Sequence, residues 1–297
     1  MSRDRRVRLA AGELEAAFVP SVGMVGLALR HRGAALLALP GGLAAYRAGH
    51  TTGLPLLYPW ANRLAGRSYR AAGVSVDLAG LELHTDGNGL PMHGTMTAQT
   101  GWEVLERSSR ELRASFDFAA RPDLLASFPY PHRLELRVAL TESELRVTTV
   151  VEPTGDRSVP IAFGFHPYLR LPGLARSEWL LSRPAADHLT LDERGIPTGE
   201  SSPEPAEHAP IGTRCFDDGY RLGTDRCFAL SGKGRRLELR FDQGFPNAQL
   251  FVPPGRRFVA IEPMTAPTNA LVAGTAPTVA PGDRFSATFH MVIDNHR

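Results

Sequence analysis

Short runs of alternating polar and apolar residues constrain the fold of this chain more than any other feature. The run at 133–140 reads Arg-Leu-Glu-Leu-Arg-Val-Ala-Leu, and the run at 236–241 reads Arg-Leu-Glu-Leu-Arg-Phe. Strand side chains alternate between two faces, so each run predicts a strand with one buried and one solvated face. Such strands, joined by short turns, are typical of antiparallel sheets. No long segment shows helical periodicity, so the sequence predicts an all-β protein.

The remaining apolar runs extend this prediction along the chain. Further strands are predicted at residues 14–19, 24–30, 102–107, 111–118, 145–151, 178–181, 227–230, 248–252, 258–261 and 284–293. Residues 53–60 read as packed loop, and residues 200–210 as an excursion within the domain. The chain has 297 residues, 43% of them hydrophobic, which suffices for a large core. We predict a single domain over 1–297, built as one large antiparallel β-sandwich.

Composition narrows the classes of partner. A formal net charge of +2 gives no strong attraction to nucleic acid or an anionic membrane. Cys215 and Cys227 are too few for a disulfide framework or a cysteine zinc site, and two free thiols suit a reducing compartment. The first residues lack the apolar segment of a signal peptide, and no run approaches the roughly 20 apolar residues of a membrane helix. We therefore expect a cytoplasmic protein without membrane or nucleic-acid partners.

Two stretches share one plan: an apolar run, one ionisable residue and then proline. In the first, residues 159–165 lead to His166 and Pro167, and in the second, residues 258–261 lead to Glu262 and Pro263. Proline tends to end a sheet ladder and keeps the preceding residue extended. His166 and Glu262 are therefore predicted to be held rigidly at strand ends, as a proton-transfer pair requires. The alternative is two ordinary strand ends with one polar residue each.

Four further residues join this pair as candidates. Asn62 and Arg63 follow an apolar lead-in and would lie at the edge of a pocket, where a guanidinium can bind vicinal hydroxyls with two parallel hydrogen bonds. His93 follows a glycine-rich turn that lets backbone approach a ligand closely. Asp225 can accept hydroxyl protons, cap a strand or pair with Arg226. Each of these residues also has an ordinary structural interpretation.

Other chemistries find little support in the sequence. There is no GxSxG elbow, no GxxxxGK[ST] loop, no GxGxxG at a helix start and no HExxH. His93 and His166 with Glu262 have the composition of a two-histidine, one-carboxylate metal site, but their spacing offers no positive evidence for one. We therefore predict no metal.

The dispersed motifs together resemble the aldose 1-epimerase (galactose mutarotase) family over nearly the whole chain. The matching motifs are Pro59-Trp-Ala-Asn-Arg63, His93-Gly94 leading to Trp102-Glu103, Phe128-Pro-Tyr-Pro131, Phe163 to Tyr168, Ile196-Pro-Thr-Gly-Glu200 and Ile261 to Leu271. The resemblance implies a large antiparallel β-supersandwich that acts on the anomeric centre of free sugars without a cofactor. Ala61 and the Thr95-Met-Thr-Ala98 segment depart from the usual family pattern and leave the identity of the sugar open.

The resemblance also implies a role for each candidate. Glu262 would be the catalytic base and His166 the catalytic acid, on opposite sides of a sugar ring in one sugar-sized cavity. His93 would assist near the ring oxygen, while Arg63 and Asp225 would hold sugar hydroxyls. These roles predict an isomerase that interconverts the α and β anomers of a hexose.

Two other functions stay open at this point. A hexose-6-phosphate 1-epimerase would need an arginine cluster for the phosphate, for which Arg63, Arg67 and Arg70 are available. A carbohydrate-binding or sensing protein of the same fold would keep the pocket without turnover, although a binder needs no acid–base pair. The sequence leaves open whether the protein is a monomer or a homodimer.

Overall fold

Strands dominate the computed structural model, which describes residues 6–295. The strands of the first half of the chain are β1 Val7–Ala11, β2 Leu14–Val19, β3 Val25–His31, β4 Ala34–Ala35, β5 Leu56–Leu57, β6 Ser68–Ala71, β7 Val74–Asp77, β8 Glu103–Arg107, β9 Glu111–Asp117, β10 His132–Leu140 and β11 Glu144–Pro153. Those of the second half are β12 Val159–Pro160, β13 Gly164–Phe165, β14 Tyr168–Leu169, β15 Leu180–Arg183, β16 Ala186–Leu191, β17 Pro197–Glu204, β18 Glu207–Pro210, β19 Phe216–Leu222, β20 Cys227–Gly232, β21 Arg235–Phe241, β22 Asn247–Val252, β23 Val259–Met264, β24 Thr278–Val279 and β25 Phe285–Asn295. The helices are short: α1 Gly42–Arg47, α2 Pro122–Leu125, α3 Ala270–Ala273 and a 3-10 turn at Arg176–Glu178.

The ends of the chain lie outside this description. Residues 1–5, part of the segment in which no signal peptide was found, and residues 296–297 of the predicted domain are not among the described residues. Within residues 6–295, no helix has both the length and the apolar character needed to cross a bilayer.

Two large antiparallel sheets form the body of the structure. One has nine strands in the order β18-β15-β20-β21-β25-β11-β10-β9-β8. The other has eight strands in the order β17-β16-β19-β22-β23-β13-β5, with β14 paired to β23 as well. A four-stranded sheet, β1 to β4, and the two-stranded pairs β6-β7 and β12-β24 complete the fold.

The core lies between the two large sheets. Phe165 on β13 of the eight-stranded sheet packs against Phe289 on β25 of the nine-stranded sheet, with ring centroids 4.9 Å apart. The strand β10 alternates between buried and more exposed residues along its whole length, as its sequence predicts. One apolar cluster includes residues from Val7 to Ile293, which supports the proposal of one domain. The prediction of an all-β antiparallel sandwich is confirmed.

Some predicted boundaries are wrong. Residues 200–210, expected to be an excursion, belong mainly to β17 and β18. Proline and, to a lesser degree, glutamate are depleted in strands generally, but both strands are sheet edges, where proline is tolerated because one side needs no hydrogen-bond donor. The predicted packed loop at 53–60 contains the short strand β5, and the strand expected at 178–181 begins only at Leu180, after the 3-10 turn.

Candidate active site

The topology of the eight-stranded sheet places His166 beside Glu262. Both β13 and β14 pair with β23, and His166 lies in the short connection between them, while Glu262 lies within β23. The strand β23 continues through Pro263 to Met264, since it is paired on both sides and the missing N–H of proline removes only one ladder bond. The imidazole Nε2 of His166 lies 3.2 Å from Oε1 of Glu262.

This contact corrects one prediction about the pair. The two groups were expected on opposite sides of a sugar ring, but a separation of 3.2 Å leaves no room for a ring between them. The reason is their register, because the pairing of β14 and β13 with β23 makes them direct neighbours on the sheet. A ligand that contacts both groups must therefore approach them from the same side.

The pair keeps unused hydrogen-bonding capacity although it is almost completely buried. His166 is 4% exposed and Glu262 is 2% exposed. Among the described residues, neither Nδ1 of His166 nor Oε2 of Glu262 has a hydrogen-bond partner. Buried polar atoms need hydrogen-bond partners, so these two atoms on contacting side chains are available to hydrogen-bond a ligand.

Burial also sets the charge of the pair. Loss of hydration raises the pKa of Glu262 well above its ordinary value, and the nearby carboxylate of Asp217 raises it further. Loss of hydration lowers the pKa of His166 to about 4. Burial disfavours a net charge on the pair, whether positive or negative. The pair is therefore most stable when its two members share one titratable proton, in addition to the N–H that a neutral imidazole always keeps. That proton can lie on either partner, and the 3.2 Å contact lets it pass directly between them.

His93 lies next to this pair and is buried as a neutral imidazole. Its ring meets that of His166 edge-on, with centroids 5.8 Å apart. Loss of hydration, followed by the charges of His166, His84 and Arg63, holds the pKa of His93 well below its ordinary value. The backbone N–H of Asn62 donates to Nδ1 of His93 at 3.3 Å, so the ring proton is assigned to Nε2. His93 can thus donate a hydrogen bond to a ligand oxygen.

Arg63 donates hydrogen bonds to two carboxylates and one side-chain amide at the edge of the site. Its Nε donates to Asp86 at 2.8 Å, and its Nη2 donates to Asp217 at 3.3 Å. The other oxygen of Asp217 accepts a hydrogen bond from Nε2 of Gln249 at 2.7 Å. Gln249 in turn lies opposite Glu262 in the pairing of β22 with β23. Through this chain of contacts the arginine is connected to the buried pair.

Asn62 is buried and supports Arg63 from the chain position before it. Its side-chain oxygen accepts a hydrogen bond from Nη1 of Arg63 at 3.1 Å. Burial opposes ionisation of Asp86, yet hydrogen bonds from the Leu90 N–H and from Arg63 hold the pKa of Asp86 below its ordinary value. The guanidinium is thus fixed by a charged partner before any ligand arrives.

Asp225 is not brought to this group. It precedes β20 in the nine-stranded sheet, is exposed, and accepts a hydrogen bond from the backbone N–H of Cys227 at 3.1 Å, which is the strand-capping alternative. Asp217 on β19 occupies the position beside Arg63 instead. The sequence analysis missed it because Phe216-Asp-Asp-Gly-Tyr220 gives a weak strand signal, as aspartate and glycine are depleted in strands.

Three aromatic side chains form a cluster beside His166 on one side of the site. Tyr168 stacks on His166 with ring centroids 4.4 Å apart, and Phe251 meets His166 edge-on at 5.7 Å. The hydroxyl groups of Tyr168 and Thr51 are 2.6 Å apart, which fixes the tyrosine ring. Phe258 meets the ring of Tyr168 edge-on, with centroids 4.8 Å apart. Within the described residues, no three histidine, cysteine or acidic side chains are arranged to hold a metal ion.

The chain is similar to known proteins in sequence and in fold. The chain is 25% identical over 230 residues to YihR, an uncharacterized protein of Escherichia coli K12, covering 74% of this chain and 71% of that one. A galactose mutarotase-like protein from Clostridium acetobutylicum superimposes with a TM-score of 0.86 at 20% identity, covering 97% and 94% of the two chains. A galactose 1-epimerase from Lactobacillus acidophilus gives a TM-score of 0.75 at 15% identity, covering 97% and 93%.

These structural similarities show a shared fold, and the family itself is shown by sequence. The sequence model of the aldose 1-epimerase family matches residues 7–291, almost the whole chain. The chain therefore belongs to the aldose 1-epimerase family.

Proposed function

We propose that this protein interconverts the α and β anomers of a free hexose or a closely related aldose. The observation that carries the proposal is the buried pair of His166 and Glu262, in contact at 3.2 Å and with one unsatisfied atom on each partner. A general acid and a general base in one dry site are what ring opening at an anomeric centre requires. Family membership supports a sugar as the substrate.

The direct contact of the pair suits the chemistry of C1. The hydroxyl oxygen O1 and the ring oxygen O5 are bonded to the same carbon, so adjacent groups on one side of the sugar can reach both. The carboxylate of Glu262 takes the proton from O1 while the imidazolium of His166 gives a proton to O5, and the C1–O5 bond breaks. Rotation about C1–C2 and the reverse transfers close the ring with the other configuration. Each group ends in its starting state.

The remaining residues are assigned roles by their position. His93 donates its Nε2–H near the ring oxygen, where a neutral donor is useful because it does not compete with His166 for a proton. Arg63 and Asp217 bind vicinal hydroxyls as donor and acceptor, respectively. Asn62 keeps both His93 and Arg63 in place through its backbone and side chain.

The test is a measurement of anomer exchange. Freshly dissolved α-glucose and α-galactose are followed by polarimetry, and exchange at equilibrium is followed by NMR across a panel of aldoses. We expect rates that rise in proportion to enzyme concentration for at least one sugar. Sugar binding without any acceleration would instead establish a non-catalytic carbohydrate-binding protein, which is the second candidate.

A hexose 6-phosphate epimerase is less well supported by these residues. The charge of Arg63 is already balanced by Asp86 and Asp217, at 2.8 and 3.3 Å. Arg67 donates to the backbone oxygen of Leu81 at 3.4 Å. These contacts do not form the convergent arginine cluster that a phosphate at this position would need. The same exchange assay with hexose 6-phosphates tests this alternative directly.

A further inference from the structure

A separate cavity opens at one end of the sheet that carries the candidate site. Its volume is about 700 Å³, and it is lined by three loops, around residues 173–177, 212–215 and 254–257. This volume falls within the range of pockets that hold small molecules. None of the residues proposed above to act on the sugar lines this cavity.

Each of the three loops continues a strand of the candidate site. The loop at 212–215 leads into β19, which carries Asp217, and the loop at 254–257 joins β22 to β23, which carries Glu262. The loop at 173–177 follows β14, which carries Tyr168. Since a strand advances about 3.3 Å per residue, Cys215 in the cavity wall lies roughly 7 Å along the chain from Asp217. One wall of the cavity is therefore two residues along the chain from Asp217 of the candidate site.

The lining is cationic in a chain that is otherwise close to neutral. Arg176, Arg256 and Arg257 contribute three positive charges, and the described residues that line the cavity include no aspartate or glutamate. The formal net charge of the whole chain is only +2. This local excess of positive charge favours an anionic ligand.

The arginines are available to such a ligand. Nη1 of Arg176 donates to the backbone oxygen of Pro253 at 3.0 Å, which fixes this guanidinium at the cavity wall without neutralising it. Across residues 6–295, neither Arg256 nor Arg257 forms an ion pair. The carboxylate of Glu178, next to the first loop, accepts a hydrogen bond from the backbone of that loop instead.

We propose that this cavity is a binding site for a phosphate-type oxyanion, either free or carried as a phosphoryl group by a sugar. A guanidinium donates two parallel hydrogen bonds to adjacent oxygens of a tetrahedral anion, and three guanidinium groups can surround one phosphate. The hydroxyl groups of Ser177 and Thr213 in the same wall add neutral donors. The site differs from the cluster around Arg63, where two carboxylates already occupy the guanidinium.

The experiment measures binding of inorganic phosphate by isothermal titration calorimetry, at constant ionic strength set with chloride. The variant is the double substitution Arg256→Gln and Arg257→Gln, at two exposed positions where folding is not at risk. The control is Arg107→Gln with Arg110→Gln, which removes the same charge from the exposed hairpin of β8 and β9. We expect wild type and control to bind phosphate, and the variant to bind about tenfold more weakly or not at all.

A second titration separates the two sources of the anion. If the anion belongs to the substrate, glucose 6-phosphate binds more tightly than either phosphate or glucose, and only the Arg256/Arg257 variant loses that advantage. If phosphate is bound as a free ion, phosphate and glucose 6-phosphate have similar affinities, which fall together in the variant. Equal affinities in wild type and variant, or equal losses in variant and control, would overturn the proposal.

The link to the sugar site rests on the proposed function, whereas phosphate binding does not. Exchange of neutral glucose should be unchanged in the Arg256/Arg257 variant. A protein that binds phosphate at this cavity but lacks anomer exchange with any sugar would disprove the proposed function and leave the anion site intact. Anomer exchange without phosphate binding would disprove the anion site and leave the proposed function intact.

Discussion

The imidazole of His166 stacks face to face on the ring of Tyr168, with centroids 4.4 Å apart and an angle of 20° between the planes. An aromatic face stabilises a nearby cation by about 1 kcal/mol, so this contact favours the imidazolium form that the proposed mechanism requires. The hydroxyl of Thr51, 2.6 Å from that of Tyr168, holds the tyrosine in this position. Tyr168 is thus a positioning residue for the proposed acid.

We expect Tyr168→Leu to lower kcat about fivefold with little change in KM, because the ring acts on the proposed acid and not on the bound sugar. Tyr168→Phe should keep most of the activity, since the stacked ring remains. The control is Tyr220→Leu, which removes a tyrosine stacked on His188, a histidine without a role in the proposed mechanism. Similar kcat losses in Tyr168→Leu and Tyr220→Leu would show a general effect on folding rather than positioning.

The buried pair predicts two inactive variants. We expect Glu262→Gln and His166→Asn each to lower kcat by roughly 10²-fold or more, since each removes one partner of the proton transfer. Circular dichroism and melting temperature check that the fold is retained. The control is Glu204→Gln, which disrupts a histidine–glutamate contact of 2.9 Å with His188 in the same sheet. Wild-type exchange rates in either test variant would remove that residue from the mechanism.

Asp217 and Asp225 give a direct test of hydroxyl binding. We expect Asp217→Asn to raise KM about tenfold, because it weakens contacts to Arg63 and to the sugar, with a smaller effect on kcat. Asp225→Asn should leave both constants unchanged, since its carboxylate caps the start of β20. Steady-state kinetics with the preferred sugar decides between the two residues, and the reverse pattern would restore the assignment made from sequence.

The pH dependence of kcat/KM should reflect the single proton held by the pair. Burial lowers the pKa of His166 to about 4, so adding a second proton becomes favourable only near that pH. We expect kcat/KM to stay level from neutral pH down to about pH 5 and to fall below it. Because burial raises the pKa of Glu262, loss of the shared proton is shifted to a higher pH than for an exposed glutamate. An acid limb near pH 6.5, the value of an exposed histidine, would contradict this account.

Stability should fall on mild acidification because of His132. This fully buried ring lies 2.7 Å from the hydroxyl of Tyr58 and 2.6 Å from the backbone oxygen of Tyr130, and burial lowers its pKa to about 4. Between pH 6.5 and pH 4 the unfolded chain binds a proton here and the folded chain does not, so the free energy of unfolding decreases as pH falls.

Urea unfolding at pH 7 and pH 4.5 measures this effect. We expect wild type to lose roughly 2–3 kcal/mol from His132 over this interval. In His132→Gln the loss should be smaller by that amount, although the variant is less stable at pH 7. An identical pH dependence in the two proteins would show that His132 does not titrate in this range.

The sequence was informative where local pattern decides the structure. The alternating run at 133–140 forms most of β10, and His166 directly follows the end of β13, just before Pro167. Period two and proline chemistry suffice for these predictions, because each depends on neighbouring residues.

Other features depend on register between distant strands. Arg63 and Asp217 are 154 positions apart, and only the order of strands in the eight-stranded sheet brings them within 3.3 Å. The direct contact of His166 with Glu262, in place of two groups facing each other across a cavity, likewise follows from the pairing of β13 and β14 with β23. No local property of the sequence fixes such a pairing, since it is the outcome of packing the whole core.

The two loops that supply Arg63 and His93 are joined through their backbones. Tyr58 accepts hydrogen bonds from the N–H groups of Thr95 and Met96 at 2.9 and 3.1 Å, and a Cβ at Gly94 would lie only 2.1 Å from its carbonyl oxygen. The loops therefore cannot shift independently, and we expect ligand preference to change through replacement of side chains on a fixed frame. Libraries that vary side chains around this frame and leave Gly94 untouched should retain folded proteins, whereas insertions in either loop should disturb both halves of the pocket.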